Sequence, residues 1–165
     1  MHICRAVISI ALSSAFSSAV AHRPAVTSHV TVIARDRKWL VLNSEGKLWR
    51  LAVAGGEPEL IPTGSVKGIN NDHGISADGK QLAISAGQIF VLPFAGGTPR
   101  QVTEKAPSYF HGWSPNGRSL VYCARRDNNS DRAGSWDIWR IPAEGAGVDD
   151  AGAQRITSDR TSCCA

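Results

Sequence analysis

His73-Gly74-Ile75-Ser76-Ala77-Asp78-Gly79 decides the fold, because the chain writes it twice. Thirty-eight residues on stands His111-Gly112-Trp113-Ser114-Pro115-Asn116-Gly117, in the same frame of His-Gly-apolar-Ser-x-Asp/Asn-Gly. Each copy runs through a basic residue into an alternating segment, Gln81-Leu82-Ala83-Ile84-Ser85 in one and Ser119-Leu120-Val121-Tyr122-Cys123 in the other. A turn joined to a strand and repeated at about 40 residues is the mark of a repeat architecture.

Outward from the two copies, other pieces repeat as well. Ala54-Gly55-Gly56-Glu57-Pro58 returns forty-one residues later as Ala95-Gly96-Gly97-Thr98-Pro99. Paired glycines there supply the left-handed backbone that tight turns demand. Strands are expected at Lys38–Asn43, Leu48–Val53 and Glu59–Ile61, then at Lys80–Ser85, Ile89–Phe94 and Arg100–Thr103, and in a third unit at Arg118–Ala124, Trp136–Pro142 and Gln154–Thr157. Val26–Ala34 alternates weakly and reads as one more strand, followed by a degenerate hairpin at 34–38. Four antiparallel strands per roughly 40–45 residues describe a β-propeller blade. The fold class is therefore all-β, with about three four-stranded antiparallel blades forming an incomplete propeller. A β-sandwich would also hold many short strands, but it would not repeat its turn sequences at a fixed period.

Composition agrees with a globular domain. The 165 residues are 42% hydrophobic and 19% charged, with sixteen glycines and eight prolines. The net charge of +4 is spread along the chain, which argues against a nucleic-acid surface. Residues 1–21 read as a cleaved secretory signal, an apolar run ending in Ala19-Val20-Ala21 before His22. That run is too short and serine-rich for a stable membrane span, and a periplasmic or secreted address follows from it. Residues 22–36 read as irregular or a partial strand, 37–157 as the blades and 158–165 as a tail. The three cysteines outside the signal, Cys123, Cys163 and Cys164, make no paired framework and no Cys-x-x-Cys zinc motif. Cys123 reads as a small core residue, and Cys163-Cys164 as exposed.

Within this frame the chemistry-bearing residues are few. Gly112-Trp113-Ser114-Pro115-Asn116-Gly117 resembles a nucleophile elbow, yet its second glycine comes one residue late and a hairpin follows, not a helix. Ser76, Asp78 and Gly79, like Ser114, Asn116 and Gly117, read as turn-building residues. His73 and His111 close the innermost strands, which in a propeller line the central channel. With Asp72 and Tyr109 they form the candidate channel or ligand set, and His73, His111 and Asp72 are the only conceivable metal ligands. No metal and no cofactor is expected. The tryptophans at 39, 49, 113, 136 and 139 read as packing between blades. The polar run 125–135 reads as a mobile surface loop suited to recognition.

Trp113-Ser114-Pro115-Asn116-Gly117-Arg118, the Ile138-Trp139 strand and the Ala-Gly-Gly-x-Pro turns together resemble the TolB-type propeller repeat. Stand-alone TolB-like propellers are resembled most through Asn70-Asn71-Asp72-His73-Gly74 and Pro107 to Trp113. The likeness covers roughly 115 of the 165 residues. It implies a non-enzymatic scaffold presenting loops to a protein or peptide partner, related to the cell envelope or transport. The family's rings have six or seven blades, whereas this chain has material for about three. The chain is therefore expected to be a truncated product or to complete its ring by self-association. The alternative is an enzyme or enzyme fragment, either a lyase or hydrolase working through the His73/His111 channel or the propeller of a prolyl-oligopeptidase-type peptidase.

Overall fold

The computed structural model describes residues 29–33, 38–126 and 136–157. The stretches read above as a signal (1–21), as a degenerate hairpin (34–37), as most of the polar run (127–135) and as a tail (158–165) lie outside these residues.

Among the described residues, twelve strands form three four-stranded sheets. The first holds β1 (His29–Ile33), β2 (Trp39–Ser44), β3 (Lys47–Ala52) and β4 (Glu59–Ile61). The second holds β5 (His73–Ile75), β6 (Gln81–Ala86), β7 (Gln88–Pro93) and β8 (Arg100–Gln101). The third holds β9 (Ser108–Trp113), β10 (Ser119–Arg125), β11 (Trp136–Pro142) and β12 (Gln154–Arg155). Neighbours in sequence pair antiparallel throughout. Each sheet is thus a meander of one blade, and the first strands touch in the order β1, β5, β9. The inner strand of the first blade lies within 22–36, the stretch read above as irregular or a partial strand.

Period-two patterning explains the stacking. Strand residues of one parity face the preceding blade, and those of the other parity face the following one. Val41, Leu48 and Ile61 of blade 1 meet Leu82, Ile84 and Leu92 of blade 2 in one buried cluster. Ala83, Ile89, Val91 and Val102 on the other face of blade 2 meet Leu120, Tyr122 and Ile141 of blade 3 in the second. Trp113 and Trp139 pack against the second cluster, as expected of residues between blades. The contacts of two others are within a blade: Trp39 lies under the Arg50 guanidinium at 4.8 Å, and Trp136 meets Tyr109 at 5.4 Å between centroids.

The outermost strands end earlier than the sequence suggests, at Gln101 and Arg155. The next residues hold the blade by other bonds. Ile89 N–H donates to Thr103 Oγ1 at 2.8 Å, while Val102 N–H donates to Ile89 O at 2.8 Å. Blade 3 repeats this, with Ile138 N–H to Thr157 Oγ1 at 3.0 Å and Ile156 N–H to Ile138 O at 2.8 Å. The recurring apolar-Thr pair is therefore a clasp from side chain to backbone and not the end of a ladder.

One reading of the sequence needs correction and another is extended. Arg126, placed above in a mobile surface loop, has a side chain only 12% exposed and spans the seam between blades 2 and 3. Cys123, read as a small core residue, is fully buried and, beyond that reading, disulfide-bonded.

Candidate functional site

The two copies of the heptad build the same hairpin atom for atom. Ser76 Oγ donates to Asp78 Oδ1 at 2.6 Å, Lys80 N–H donates to that oxygen at 3.0 Å, and Gln81 N–H donates to Ser76 Oγ at 2.9 Å. In blade 3, Ser114 Oγ donates to Asn116 Oδ1 at 2.7 Å, Arg118 N–H to the same oxygen at 3.0 Å, and Ser119 N–H to Ser114 Oγ at 2.9 Å. Gly79 and Gly117 close the turns with φ of 78° and 70°, where a side chain would be strained. Both serine hydroxyls are committed to the turn backbone. The Ser76 bond, followed by the Lys80 amide, holds the Asp78 carboxyl below the usual carboxylate range.

The histidines one step upstream part company. In β5 the register is regular, with His73 opposite Ile84 and Gly74 opposite Ala83. In β9, Gly112 stands opposite Val121 and Phe110 opposite Tyr122, so His111 is the extra residue of a β-bulge. His73 is 2% exposed, and neither ring nitrogen has a partner at hydrogen-bond geometry. Burial lowers its pKa below the ordinary histidine value. The carbonyls of Val41 and Asn70 and the charge of Asp72 pull the other way but do not offset it. Asp72 is itself paired with Asn70, accepting from Nδ2 at 2.8 Å while its N–H donates to Asn70 Oδ1 at 3.0 Å. Tyr109 stacks on Trp136, and His111 is half-buried. Among the described residues, no three His, Cys, Asp or Glu side chains converge as a metal site.

The glycine of each copy completes the contrast. A Cβ on Gly74 would lie 2.7 Å from Phe110 Cε1, and Trp113 Nε1 donates to Gly74 O at 3.2 Å. Blade 3 thus lays two aromatic rings on the His-Gly step of blade 2. At Gly112, nothing stands within 4 Å of the equivalent Cβ position.

Sequence reasoning missed the ionic core of the second seam. Asp149 and Asp150 adopt left-handed backbone, φ 58° and 57°, which aspartate tolerates better than most residues. Asp150 is thereby turned inward, and its carboxylate accepts the Glu104 and Lys105 amides at 2.7 and 3.1 Å. Arg126 Nη2 lies 3.4 Å from it and also donates to Ser108 Oγ at 2.8 Å, while Arg126 Nη1 donates to Pro107 O at 2.8 Å. Tyr122 lies beneath, its ring centroid 5.9 Å from the guanidinium carbon. Burial pushes its phenol up to about 12, so it stays protonated. These groups line a cavity of about 100 Å3. A larger, open depression of about 660 Å3 lies on the outer rim between Gln101–Glu104 and Glu144–Val148, away from both histidines.

No family model matches the chain. An uncharacterized protein of Agrobacterium fabrum is 38% identical over 159 residues, covering 69% of this chain and 54% of the relative. A solved structure of a protein provisionally called TolB, from Agrobacterium tumefaciens, is 43% identical with a TM-score of 0.65, covering 76% of this chain and 44% of its own. The tricorn protease matches at 14% identity and a TM-score of 0.52 over 76% of this chain and 12% of its own, a likeness of fold alone. This chain spans about half the length of the first two relatives. Repeated hairpins, three meander blades and the likeness to that solved structure agree: the chain is a TolB-like β-propeller repeat protein.

Proposed function

We propose that the protein is a non-enzymatic binding scaffold whose non-repeating loops receive a protein or peptide partner. One observation carries this reading. In a meander, successive turns alternate between the two rims of the blade. The rim with the Ser-x-Asp/Asn-Gly hairpins and the Gly-rich turns repeats its hydrogen bonds from blade to blade. The opposite rim repeats the apolar-Thr clasp of Thr103 and Thr157, but its connections between blades do not repeat: 62–72 between blades 1 and 2 and 104–107 between blades 2 and 3 differ in length and sequence. Variation concentrated on one edge of a constant frame is how rigid scaffolds carry recognition. The family likeness and the signal-like residues 1–21 favour an exported protein of the cell envelope. Among the described residues, no helix is long and apolar enough to cross a membrane.

A panel of extended peptides, read by fluorescence anisotropy, tests the proposal. Binding should weaken at least several-fold in Lys67→Glu, on the variable rim, and be unchanged in Lys80→Glu, on the repeating rim, with both variants melting as the parent does. Turnover of a bound peptide that disappears in His111→Ala with the fold intact would establish the enzyme reading instead.

A further inference from the structure

Repeat-equivalent residues report what each blade face is built to meet. Ile61, Val102 and Ile156 are equivalent residues at or just past the end of the fourth strand in the three blades, on the face away from the preceding blade. Ile61 and Val102 are 1% and 3% exposed, whereas Ile156 is 55% exposed. Val102 and Ile156 make the same backbone bond, to Ile89 O and Ile138 O, so only the neighbour differs. The face of blade 3 around Ile156 also holds Gly112, whose counterpart Gly74 lies under Phe110.

The opposite end mirrors this. Val53, Phe94 and Ala143 each donate their N–H to the carbonyl of the residue just before the second strand, Lys38, Lys80 and Arg118, at 2.8, 2.8 and 2.9 Å. Phe94 packs into the first cluster and Ala143 is 4% exposed, but Val53 is 54% exposed. Gly96 would carry a Cβ 2.6 Å from Pro62 of the preceding blade, while its counterpart Gly55 meets nothing within 4 Å. Apart from Ser44 and Lys47 at its edge, the outward parity of blade 1 is apolar, with Leu40, Leu42, Trp49, Leu51, Val53 and Leu60, and the corresponding Leu82, Ile84, Phe90, Leu92 and Phe94 of blade 2 pack into the first cluster.

We propose that a second copy of this chain covers both faces, blade 3 of each copy seating blade 1 of the other, so that two arcs close one six-bladed ring. Two observations choose this occupant. The two open faces are the two halves of a contact the chain already makes twice internally. The backbone of β1 carries a bulge at Thr31, between the pairs Val30–Leu42 and Val32–Val41. That is the register position of His111 in β9, the strand that sits on Gly74. The two contacts are related by one two-fold axis, so the assembly closes as a dimer and not a filament.

Sedimentation equilibrium of the full chain tests this with Val53→Asp and Ile156→Asp, both at exposed positions where the fold should survive, as checked by circular dichroism and melting. The parent should be a dimer and each variant a monomer. Each variant spoils both contacts of its own homodimer. Mixed together, the two variants can leave one contact wholly parental, so the mixture should regain dimer. A parental monomer, a parental assembly larger than two copies, a dimer that Val53→Asp leaves intact, or a mixture that stays monomeric would each overturn the proposal.

Discussion

The second and third blades carry the same seven-residue frame, and the same hairpin grows from it, yet the strand before each hairpin meets a different fate. In blade 2 the strand runs straight and buries His73 without a partner. In blade 3 a bulge at position 111 hands the equivalent place to Phe110, 4% exposed, which can then lie on Gly74 of the blade before. One extra residue thus converts a polar inner position into an apolar anchor. The loops that lead into these strands are fastened differently too. Asn43 Nδ2 donates to Ile69 O at 3.2 Å ahead of blade 2, while the Arg126–Asp150 pair secures the start of β9. Sequence identity fixes the turn, and the neighbour decides what the strand does.

The largest expected effect comes from breaking the ionic fastening. Asp150→Ala leaves Arg126 buried without its counter-charge and two amides without their acceptor. Removing one partner of a buried pair costs about 3–5 kcal/mol. Arg126 keeps the Pro107 and Ser108 oxygens, which places the loss near the lower end, about 3 kcal/mol by urea denaturation. Asn43→Ala, in the neutral fastening ahead of blade 2, should cost about 1 kcal/mol, the worth of an ordinary buried hydrogen bond. Equal losses would mean that the neutral and ionic fastenings are not different devices.

Next in size is the glycine of the frame. Gly74→Ala puts a methyl group 2.7 Å from a buried phenyl edge, and overpacking of that kind costs about 1–3 kcal/mol. Gly112→Ala has open space above it and should change folding stability by less than about 0.5 kcal/mol, measured at a dilution where copies do not associate. If both substitutions cost the same, Phe110 is not what distinguishes the two strands.

These contrasts show how much could be read from the chain alone. Repeated turns and period-two strands disclosed the blades, because a tight turn constrains its own few residues and needs no distant partner. The Ser76/Asp78 and Ser114/Asn116 networks were legible for the same reason, since every partner lies within five residues. The bulge at His111 was not legible. It depends on which residue of β9 finds Tyr122, a pairing set by the fit of Phe110 to the next blade. Arg126 and Asp150 were missed because they stand 24 residues apart, and a charge beside a polar run usually faces water. The left-handed Asp149-Asp150 step, following Gly145 and Gly147, was the one local sign of an inward-turned carboxylate.

The remaining tests separate the copies by pH. His73 is buried with its pKa lowered, so the folded state resists a proton that the unfolded chain accepts near pH 6.5. Stability is therefore fully present above about pH 6.5 and is lost as pH falls from there through the lowered folded value. His73→Leu removes that loss and two unpartnered nitrogens together. Its melting temperature should equal or exceed the parent's at pH 7, with a clear gain at about pH 5, where only the parent suffers the linkage. A parental melting temperature that is flat between about pH 7 and pH 5 would remove His73 from this account.

The smallest effect lies in the hairpin itself, where the side-chain acceptor is a carboxylate in one copy and an amide in the other. Asp78 titrates and Asn116 does not. The Asp78 carboxyl, lowered by its bond from Ser76, favours the folded state above about pH 3.9 and loses that contribution as pH falls through the folded value. Asp78→Asn gives the turn of blade 2 the acceptor of blade 3, where an amide oxygen accepts the same two hydrogen bonds. Melting at about pH 7 should then be nearly unchanged, because the side chain is exposed and its charge is screened by water. Below about pH 4, however, the variant should lose less stability than the parent. Should Asp78→Asn instead disrupt folding at neutral pH, the carboxylate would be needed for more than its geometry, and the two hairpins would not be equivalent devices.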